Sequence, residues 1–383
     1  MDFALSERQA AWQEAAIQFG REELAADLDL AGRDERREFW REGWRRCARF
    51  GIQGLPLPGE YGGKGLGLPE TIAAMEGLGY ACPDNGLIFA INASLWTVAI
   101  PILLYGTDDQ KRRHLPGLAD GSTVGANGAS EPGAGSDIFS MVATARKDAG
   151  GWVLDGRKTW VTGGPVADLF VCYAATTPGR GALGISAFLV PADAPGFRVA
   201  REIPKLGVRT VPMGELALEG CRLPIDALLG REGRGAEVFN ASMEWERGSI
   251  LASGLGTMRR QLERCVAHAR ARRQFGQPIA KFQAVAHRVV EMKLRLETCR
   301  PLVYRIGWLK AQGKDATMEA ALAKLHVSDC LVKNSLDAVQ IFGASGYATE
   351  TGIERDLRDG VGSLIYSGTN DIQRNIIARE LGL

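Results

Sequence analysis

One stretch of this chain constrains its fold more than any other. From about residue 121 to 230 helical patterning gives way to strand patterning, and then it returns. Up to about residue 120, apolar residues recur at three- and four-residue steps, punctuated by clusters such as Pro58-Gly59-Glu60-Tyr61-Gly62-Gly63. Inside the middle stretch, Trp152-Val153-Leu154 and Lys158-Thr159-Trp160-Val161-Thr162 flank Asp155-Gly156, which predicts a hairpin turning at the Asp-Gly pair. Leu169 to Ala174, Ile185 to Val190 and Glu215 to Leu218 read as further strands, separated by Pro and Gly as in a small barrel or sandwich. Long helical periodicity resumes near 236, over roughly 236–273, 280–311, 315–342 and 369–380. The order helical, β, helical predicts an α+β, mainly helical protein with an inserted β domain, not a doubly wound sheet. The boundaries read as 1–120 for an N-terminal helical domain, 121–232 for a middle β-barrel-like domain, and 233–383 for a C-terminal four-helix bundle.

Composition narrows the function classes. Lys and Arg total 46 against 45 for Asp and Glu, a balance that gives nucleic acid no electrostatic hold. The seven cysteines, at 47, 82, 172, 221, 265, 299 and 330, sit far apart in sequence, are odd in number and include no CxxC pair. They suggest neither a disulfide framework nor a zinc site, and a reducing, cytoplasmic compartment fits them. Met1-Asp2-Phe3-Ala4 opens on acidic, helical material without a signal-peptide pattern. No run of about 18 apolar residues is expected along the chain, and so no membrane span. Gly62-Gly63-Lys64-Gly65 lacks the glycine and hydroxyl that a P-loop needs, since those places hold Pro58 and Gly65, and no GxGxxG follows a strand. His114, His268, His287 and His326 show no metal-ligand spacing, so no metal is expected.

Four separated segments carry the functional signal. They are Ala129-Ser130-Glu131-Pro132-Gly133-Ala134-Gly135-Ser136-Asp137, Lys158-Thr159-Trp160-Val161-Thr162-Gly163-Gly164, Arg272-Arg273-Gln274-Phe275-Gly276-Gln277-Pro278-Ile279 and Tyr366-Ser367-Gly368-Thr369-Asn370-Asp371-Ile372-Gln373-Arg374. The last is preceded by Gln340-Ile341-Phe342-Gly343-Ala344-Ser345-Gly346-Tyr347. In this order and at this spacing the chain resembles the acyl-CoA dehydrogenase family over nearly its whole length. The resemblance implies FAD, and a reaction in which a base removes the α-proton of an acyl thioester while flavin N5 takes the β-hydride.

The residue types suit that chemistry. The resemblance implies that Ala129, Ser130 and Thr162 lie against the flavin ring, where hydroxyls and N–H groups stabilise the reduced ring. It places Trp160 on the ring as an apolar wall, and Gly135 and Ser136 near the phosphates and the thioester chain. Arg272, Gln274 and Phe275 resemble contacts to the pyrophosphate and adenine of an FAD held by a neighbouring subunit, where Arg supplies a charged fork for phosphate. Gln340 and Gly343 resemble the complementary contact from that neighbour, and Thr369 and Asp371 belong to the same cofactor set. Asn127, Ser136, Arg247, Tyr366 and Ser367 are the implied substrate contacts. Such sharing implies a homotetramer or a dimer.

The chain departs from the family at one decisive place. Many members carry the catalytic base as the Glu after the Tyr of the last motif; here that slot is Ser367. A serine hydroxyl is not a base near neutral pH without an activating partner. A minority branch, including isovaleryl-CoA dehydrogenase, places the base upstream, just before an Arg that corresponds to Arg247. That position is Glu246, within Met243-Glu244-Trp245-Glu246-Arg247. Glu244 and Glu246 point to nearly opposite sides of a helix. Leu251, Leu255 and Leu262 share the side of Glu244, whereas Ile250, Ser253, Gly254 and Thr257 leave room beside Glu246. Glu246 is therefore the expected base.

The acyl carrier stays open at this level. Asp84 to Thr97, with Gly125-Ala126-Asn127-Gly128, is similar to dehydrogenases acting on acyl or prolyl groups tethered to carrier proteins. Alternatives are a catabolic short- or branched-chain acyl-CoA dehydrogenase, a flavin monooxygenase on the same fold, or a non-catalytic FAD-binding protein. The electron acceptor is an electron-transfer flavoprotein by family expectation, or oxygen.

Overall fold

The computed structural model describes residues 4–25 and 29–383, so the reading of Met1-Asp2-Phe3 lies outside the described residues. Capping residues set the first helix. Ser6 and Gln9 exchange bonds in a reciprocal capping box that opens α1 (Glu7–Phe19). α2 (Leu30–Arg36), α3 (Arg41–Phe50) and α4 (Leu68–Ala81) follow. Then come α5 (Asn85–Ser94), α6 (Ile100–Tyr105) and α7 (Asp108–Ala119), the last opened by a second box from Thr107 and Gln110.

A five-residue π-turn, Leu95–Ala99, joins α5 to α6 without a break. The resulting run, Asn85–Tyr105, is long and apolar enough to cross a membrane, with mean hydropathy 2.1, contrary to the expectation that no such run exists. It is a core element, 83% buried inside the protein. Two of its polar side chains are satisfied locally: Asn92 donates to the Ile88 carbonyl and accepts from Trp96 Nε1, and Thr97 donates to the Ala93 carbonyl.

The middle strands are β1 (Gly125–Gly128), β2 (Thr144–Asp148), β3 (Gly151–Thr162), β4 (Leu169–Ala175), β5 (Ile185–Pro191), β6 (Phe197–Glu202), β7 (Met213–Leu223) and β8 (Leu228–Leu229). They form one eight-stranded sheet in the order β6-β7-β3-β2-β4-β5-β8, with β1 parallel beside β4. The predicted hairpin at Asp155-Gly156 is absent, because both halves belong to the single strand β3. The turn lies earlier, at Ala149-Gly150, since Asp148 pairs with Gly151. Asp155-Gly156 instead makes a bulge against β7, where the register shifts between Leu154 and Gly156. Asp155 Oδ1 accepts from the Gly220 N–H at 2.7 Å, and Gly156 takes φ +150°, so the residues that suit a turn serve a bulge.

The C-terminal region comprises α8 (Gly235–Ser249), α9 (Ala252–Ala271), a small ribbon of β9 (Arg273–Gln274) and β10 (Gln277–Pro278), α10 (Gln283–Ala311), α11 (Thr317–Phe342), α12 (Ala344–Tyr347), α13 (Ile353–Gly362) and α14 (Asn370–Glu380). The single helix expected over 236–273 is two helices, broken at Ile250-Leu251 just after the weak helix formers Gly248 and Ser249. α4 and α9 approach closely because both carry glycine. A Cβ on Gly79 would sit 2.0 Å from the Ser253 carbonyl oxygen, and one on Gly256 would sit 2.1 Å from that of Glu76. Beside this contact the buried Glu76 carboxylate receives Arg300 and the Tyr304 hydroxyl, both at 2.8 Å, which ties the N-terminal helices to α10.

The bulge generates a prediction. A Cβ at Gly156 would lie 2.5 Å from Ala143 Cβ and 2.8 Å from Ala143 Cα, at a backbone angle that L residues avoid. Gly156→Ala should therefore cost about 1–3 kcal/mol, read as a lower denaturation midpoint at unchanged slope; an unchanged midpoint contradicts this account of the bulge.

Candidate active site

β1 delivers the chain to Ala129, Ser130 and Glu131, and β3 holds that loop from beside it. The Thr159 N–H donates to the Ser130 carbonyl at 2.9 Å. Lys158 is fully buried; its Nζ donates to Glu131 Oε1 at 2.7 Å and to the Ala129 carbonyl at 3.3 Å. Glu131 also accepts from the N–H groups of Val142 and Ala143, at 2.7 and 3.0 Å. Burial pulls the Lys158 ammonium below its ordinary range, and the Glu131 charge pulls the other way. The sequence reading assigned no role to either residue. The available signal was a lysine among the apolar, inward-facing positions of a strand.

The four ring-side candidates come together at this junction. Ala129 is buried, Ser130 and Thr162 are half-buried, and Trp160 projects outward, 58% exposed with φ +58°. Asn127, one residue before the end of β1, has a buried Oδ1 with no hydrogen-bond partner. Gly135 and Ser136 lie exposed on the loop beyond, with open space where a Gly135 side chain would stand.

The second cluster surrounds Glu246. Its side chain is buried on α8, and desolvation pushes the carboxyl up to about 7; Ser367, Arg247 and Lys324 hold it down in that order. Arg247 Nε donates to the Ser367 carbonyl at 3.0 Å, binding α8 to the turn before α14. Gln373 Nε2 reaches the Ser367 and Gly368 carbonyls at 3.3 and 2.9 Å. Ser367 takes φ +58°, and its buried hydroxyl makes no well-formed hydrogen bond. Lys324 lies on the buried face of α11 and donates to Asn370 Oδ1 at 2.9 Å; burial, then Arg247, lowers its pKa to about 8. Tyr366 stacks on Phe89 with ring centroids 4.6 Å apart.

Glu246 and Glu244 separate as the helix geometry predicts. Glu244 forms an ion pair with Lys310 of α10. One turn beyond Glu246 a partly open cleft, with about 460 Å³ of empty space including its solvent mouth, is lined by Asn85, Phe89, Ile250, Asp359 and Tyr366 among others. Ser253, Gly254 and Thr257 line it as expected, and the helix break adds Leu251, which the continuous-helix reading put on the other side. The polar wall is prearranged: Asn85 Nδ2 donates to Asp356 at 3.2 Å and to Asp359 at 2.9 Å. Burial pushes Asp359 up to about 6.

The remaining candidates sit apart from both clusters. Arg272, Gln274 and Phe275 are exposed around the β9–β10 ribbon, with the Phe275 ring 92% exposed at φ +48°. Gln340 and Gly343 are exposed at the end of α11. Thr369 caps α14 by accepting from the Ile372 N–H, and Asp371 pairs with Arg374, so both side chains are engaged within their own helix. One cluster of three side chains was not anticipated from the sequence. Cys299 and Cys330, distant along the chain, meet with His326 where α10 packs on α11, and their ligand atoms lie within 4.8 Å of one another.

Two predictions follow from these burials. Lys158→Met strands the Glu131 carboxylate without its cation and should cost about 3–5 kcal/mol; adding Glu131→Gln should recover part of that loss in denaturant melts. Glu246 gives a pH signature. Its folded carboxyl titrates at about 7 against an ordinary 4.5, so stability falls as pH rises between those values and stays level above. The loss is on the order of 3 kcal/mol. Glu246→Gln removes it, so the variant should melt above the parent at about pH 8 and show no such gain at about pH 4.

Comparison with known proteins gives this geometry its context. The chain matches the N-terminal, middle and C-terminal domains of acyl-CoA dehydrogenases over residues 6–122, 126–221 and 233–382. The L-prolyl-[peptidyl-carrier protein] dehydrogenase of Pseudomonas fluorescens is 44% identical over 384 residues, covering 100% of both chains. The crystal structure of the prolyl acyl carrier protein oxidase AnaB aligns with a TM-score of 0.97 at 44% identity, over 99% of this chain and 100% of that one. A structure of PigA with FAD and proline aligns at 0.97 and 40% identity over the whole of both chains. With three matched domains and full-length relatives, the chain belongs to the acyl-CoA dehydrogenase family and is an FAD-dependent oxidoreductase.

Proposed function

We propose that this enzyme desaturates the Cα–Cβ bond of an acyl thioester tethered to a carrier protein, with a prolyl group as the favoured cargo and Glu246 as the base. The observation that carries the chemistry is a desolvated carboxylate poised at about 7, beside a cavity and away from every surface charge pair. Such a group is ionised often enough to accept a proton and basic enough to hold it. The prolyl cargo and the carrier rest on what the relatives' names state.

The residues fit FAD. Trp160 and Phe275 present exposed aromatic faces, Asn127 Oδ1 lacks a partner, and Gly135 and Gly343 leave open space. Ala129, Ser130, Gly135, Ser136, Trp160 and Thr162 would hold the ring and phosphate side. Arg272, Gln274 and Phe275 would reach the FAD of a neighbouring chain, and Gln340 and Gly343 would complete the site from across that interface. Thr369 and Asp371 contribute least, because their side chains are engaged. Bound FAD supplies the acceptor for the β-hydride. Glu246 takes the Cα proton; Arg247 and Lys324 favour its ionised form beforehand. Asn127, Ser136, Arg247, Tyr366 and Ser367 orient the thioester, and the Tyr366–Phe89 stack walls the acyl cavity against water. The working assembly is a homotetramer or dimer in the cytoplasm, passing electrons to an electron-transfer flavoprotein or to oxygen.

The test is anaerobic bleaching of the flavin by L-prolyl-loaded carrier protein, compared with prolyl- and butyryl-CoA. Carrier-bound prolyl should give the largest kcat/KM, since truncating the carrier removes binding energy; equal values for the CoA thioesters would sink the carrier assignment. Glu246→Gln should slow reduction by about 10²–10⁴-fold at unchanged FAD content, and the parent rate should rise with pH through about 7. Wild-type reduction in that variant removes Glu246 as the base. Arg272→Ala should weaken FAD retention by roughly ten- to a hundredfold, as expected for loss of a charge-assisted phosphate contact; full retention contradicts the shared site.

A further inference from the structure

The residue in the slot where many family members carry a carboxylate is built to contact Glu246. Ser367 is held at the backbone from two sides, by Arg247 Nε and Gln373 Nε2 on its carbonyl. Its φ of +58°, followed by +89° at Gly368, makes a tight turn that a non-glycine residue adopts only when its surroundings enforce it. The hydroxyl this turn presents is buried, makes no well-formed hydrogen bond, and lies close enough to the Glu246 carboxylate to lower its pKa. A small adjustment completes that bond and removes the desolvation cost of an unsatisfied buried hydroxyl.

We propose that Ser367 is a positioning residue for Glu246: its hydroxyl donates to the carboxylate, fixes which oxygen faces the substrate Cα, and accepts from the carboxylic acid once the proton has moved. This rests on Glu246 being the base. A hydroxyl suits both stages because it can donate and accept, whereas a carboxylate in the same slot would repel Glu246. No bond to carbon forms at Ser367, and the α-proton ends on Glu246. The other groups facing Glu246 cannot take this part. Arg247 is a donor only, is adjacent on α8, and is already spent on the Ser367 carbonyl. Lys324 of α11 is committed to Asn370. Tyr173 of β4 and Tyr366 bear on Glu246 only through its charge, with no hydrogen bond to its carboxylate.

The test compares Ser367→Ala and Ser367→Gly in the FAD-loaded enzyme. Both remove the hydroxyl, but alanine increases the strain at φ +58° and glycine relieves it. In both, the apparent pKa for flavin reduction by L-prolyl-loaded carrier protein should rise by about one pH unit. Reduction below neutrality should then slow about tenfold and recover at higher pH, with FAD content unchanged. An unchanged profile in both variants overturns the proposal. So does a shift in alanine alone, which assigns the effect to strain, or an equal loss at every pH, which assigns the hydroxyl to the substrate. A second arm needs no substrate: the carboxyl stretch of Glu246, identified by its loss in Glu246→Gln, is titrated by difference infrared spectroscopy in the oxidised holoenzyme. If the parent shows no flavin reduction but the Ser367 variants still raise the Glu246 titration, the dehydrogenase reading fails and the contact stands. If neither variant moves the titration, the contact is refuted whatever the enzyme oxidises.

Discussion

A single buried ion pair, Lys158 to Glu131, joins the sheet to the loop that would face the flavin, and much of the local geometry depends on it. With side-chain exposures of 0% and 2%, neither partner reaches water. Such a pair adds little net stability over an apolar replacement, but breaking it is costly, so it restricts the alternatives open to the chain. Glu131 gathers the N–H groups of Val142 and Ala143, and Lys158 gathers the Ala129 carbonyl. Ala143 is also the residue that Gly156 packs against, so bulge and ion pair brace each other through one residue. Strand alternation would put Trp160 on the same side as Lys158. A register shift between Lys158 and Val161, with φ +58° at Trp160, turns the indole outward instead. The exposed aromatic and the buried lysine are thus two results of one irregularity.

Glu246 illustrates the opposite use of burial. Desolvation is the largest influence on its carboxyl, and two cations and a hydroxyl only partly offset it. A closer cation would restore an ordinary acidic carboxylate and remove its capacity as a base. Arg247 avoids this by directing its Nε to a backbone carbonyl, and Lys324 by bonding a neutral amide. The positive charge therefore acts from a distance, where it moderates the pKa without a direct bond.

The sequence made the gross order legible because periodicity is local. Three C-terminal helices, Gln283–Ala311, Thr317–Phe342 and Asn370–Glu380, begin and end within a few residues of their expected bounds. The opposite facing of Glu244 and Glu246 was legible for the same reason, since it needs only the turn angle of a helix. What failed depended on partners distant in sequence. Asp155-Gly156 has the chemistry of a turn, but pairing with β7 and the proximity of Ala143 make it a bulge. Asn92 and Thr97 disguised an apolar run because their side chains are satisfied within their own helix. His326 and Cys330 share one face of α11, but Cys299 joins them only through the packing of α10 on α11. Lys158 received no role because the loop that buries it comes from 27 to 29 residues upstream.

The proposed base position, Glu246 on α8, changes what must be rigid. A base in the turn before α14 would depend on two consecutive residues of positive φ, Ser367 and Gly368, for its aim. On α8 the side chain is aimed by a helix fixed at several points. Ser242, one turn earlier, donates to the Trp96 carbonyl at 3.2 Å, and Trp245 stacks on Trp96 at 6.2 Å. Trp96 belongs to the π-turn, where the wider helix breaks the regular ladder; such turns recur at functional sites. That irregularity sits in the most apolar run of the chain, where packing over-determines the backbone. With Glu246 as the proposed base, the catalytic geometry would rest on a buried helix instead of a strained turn, and the turn would carry a group that needs only to reach the carboxylate.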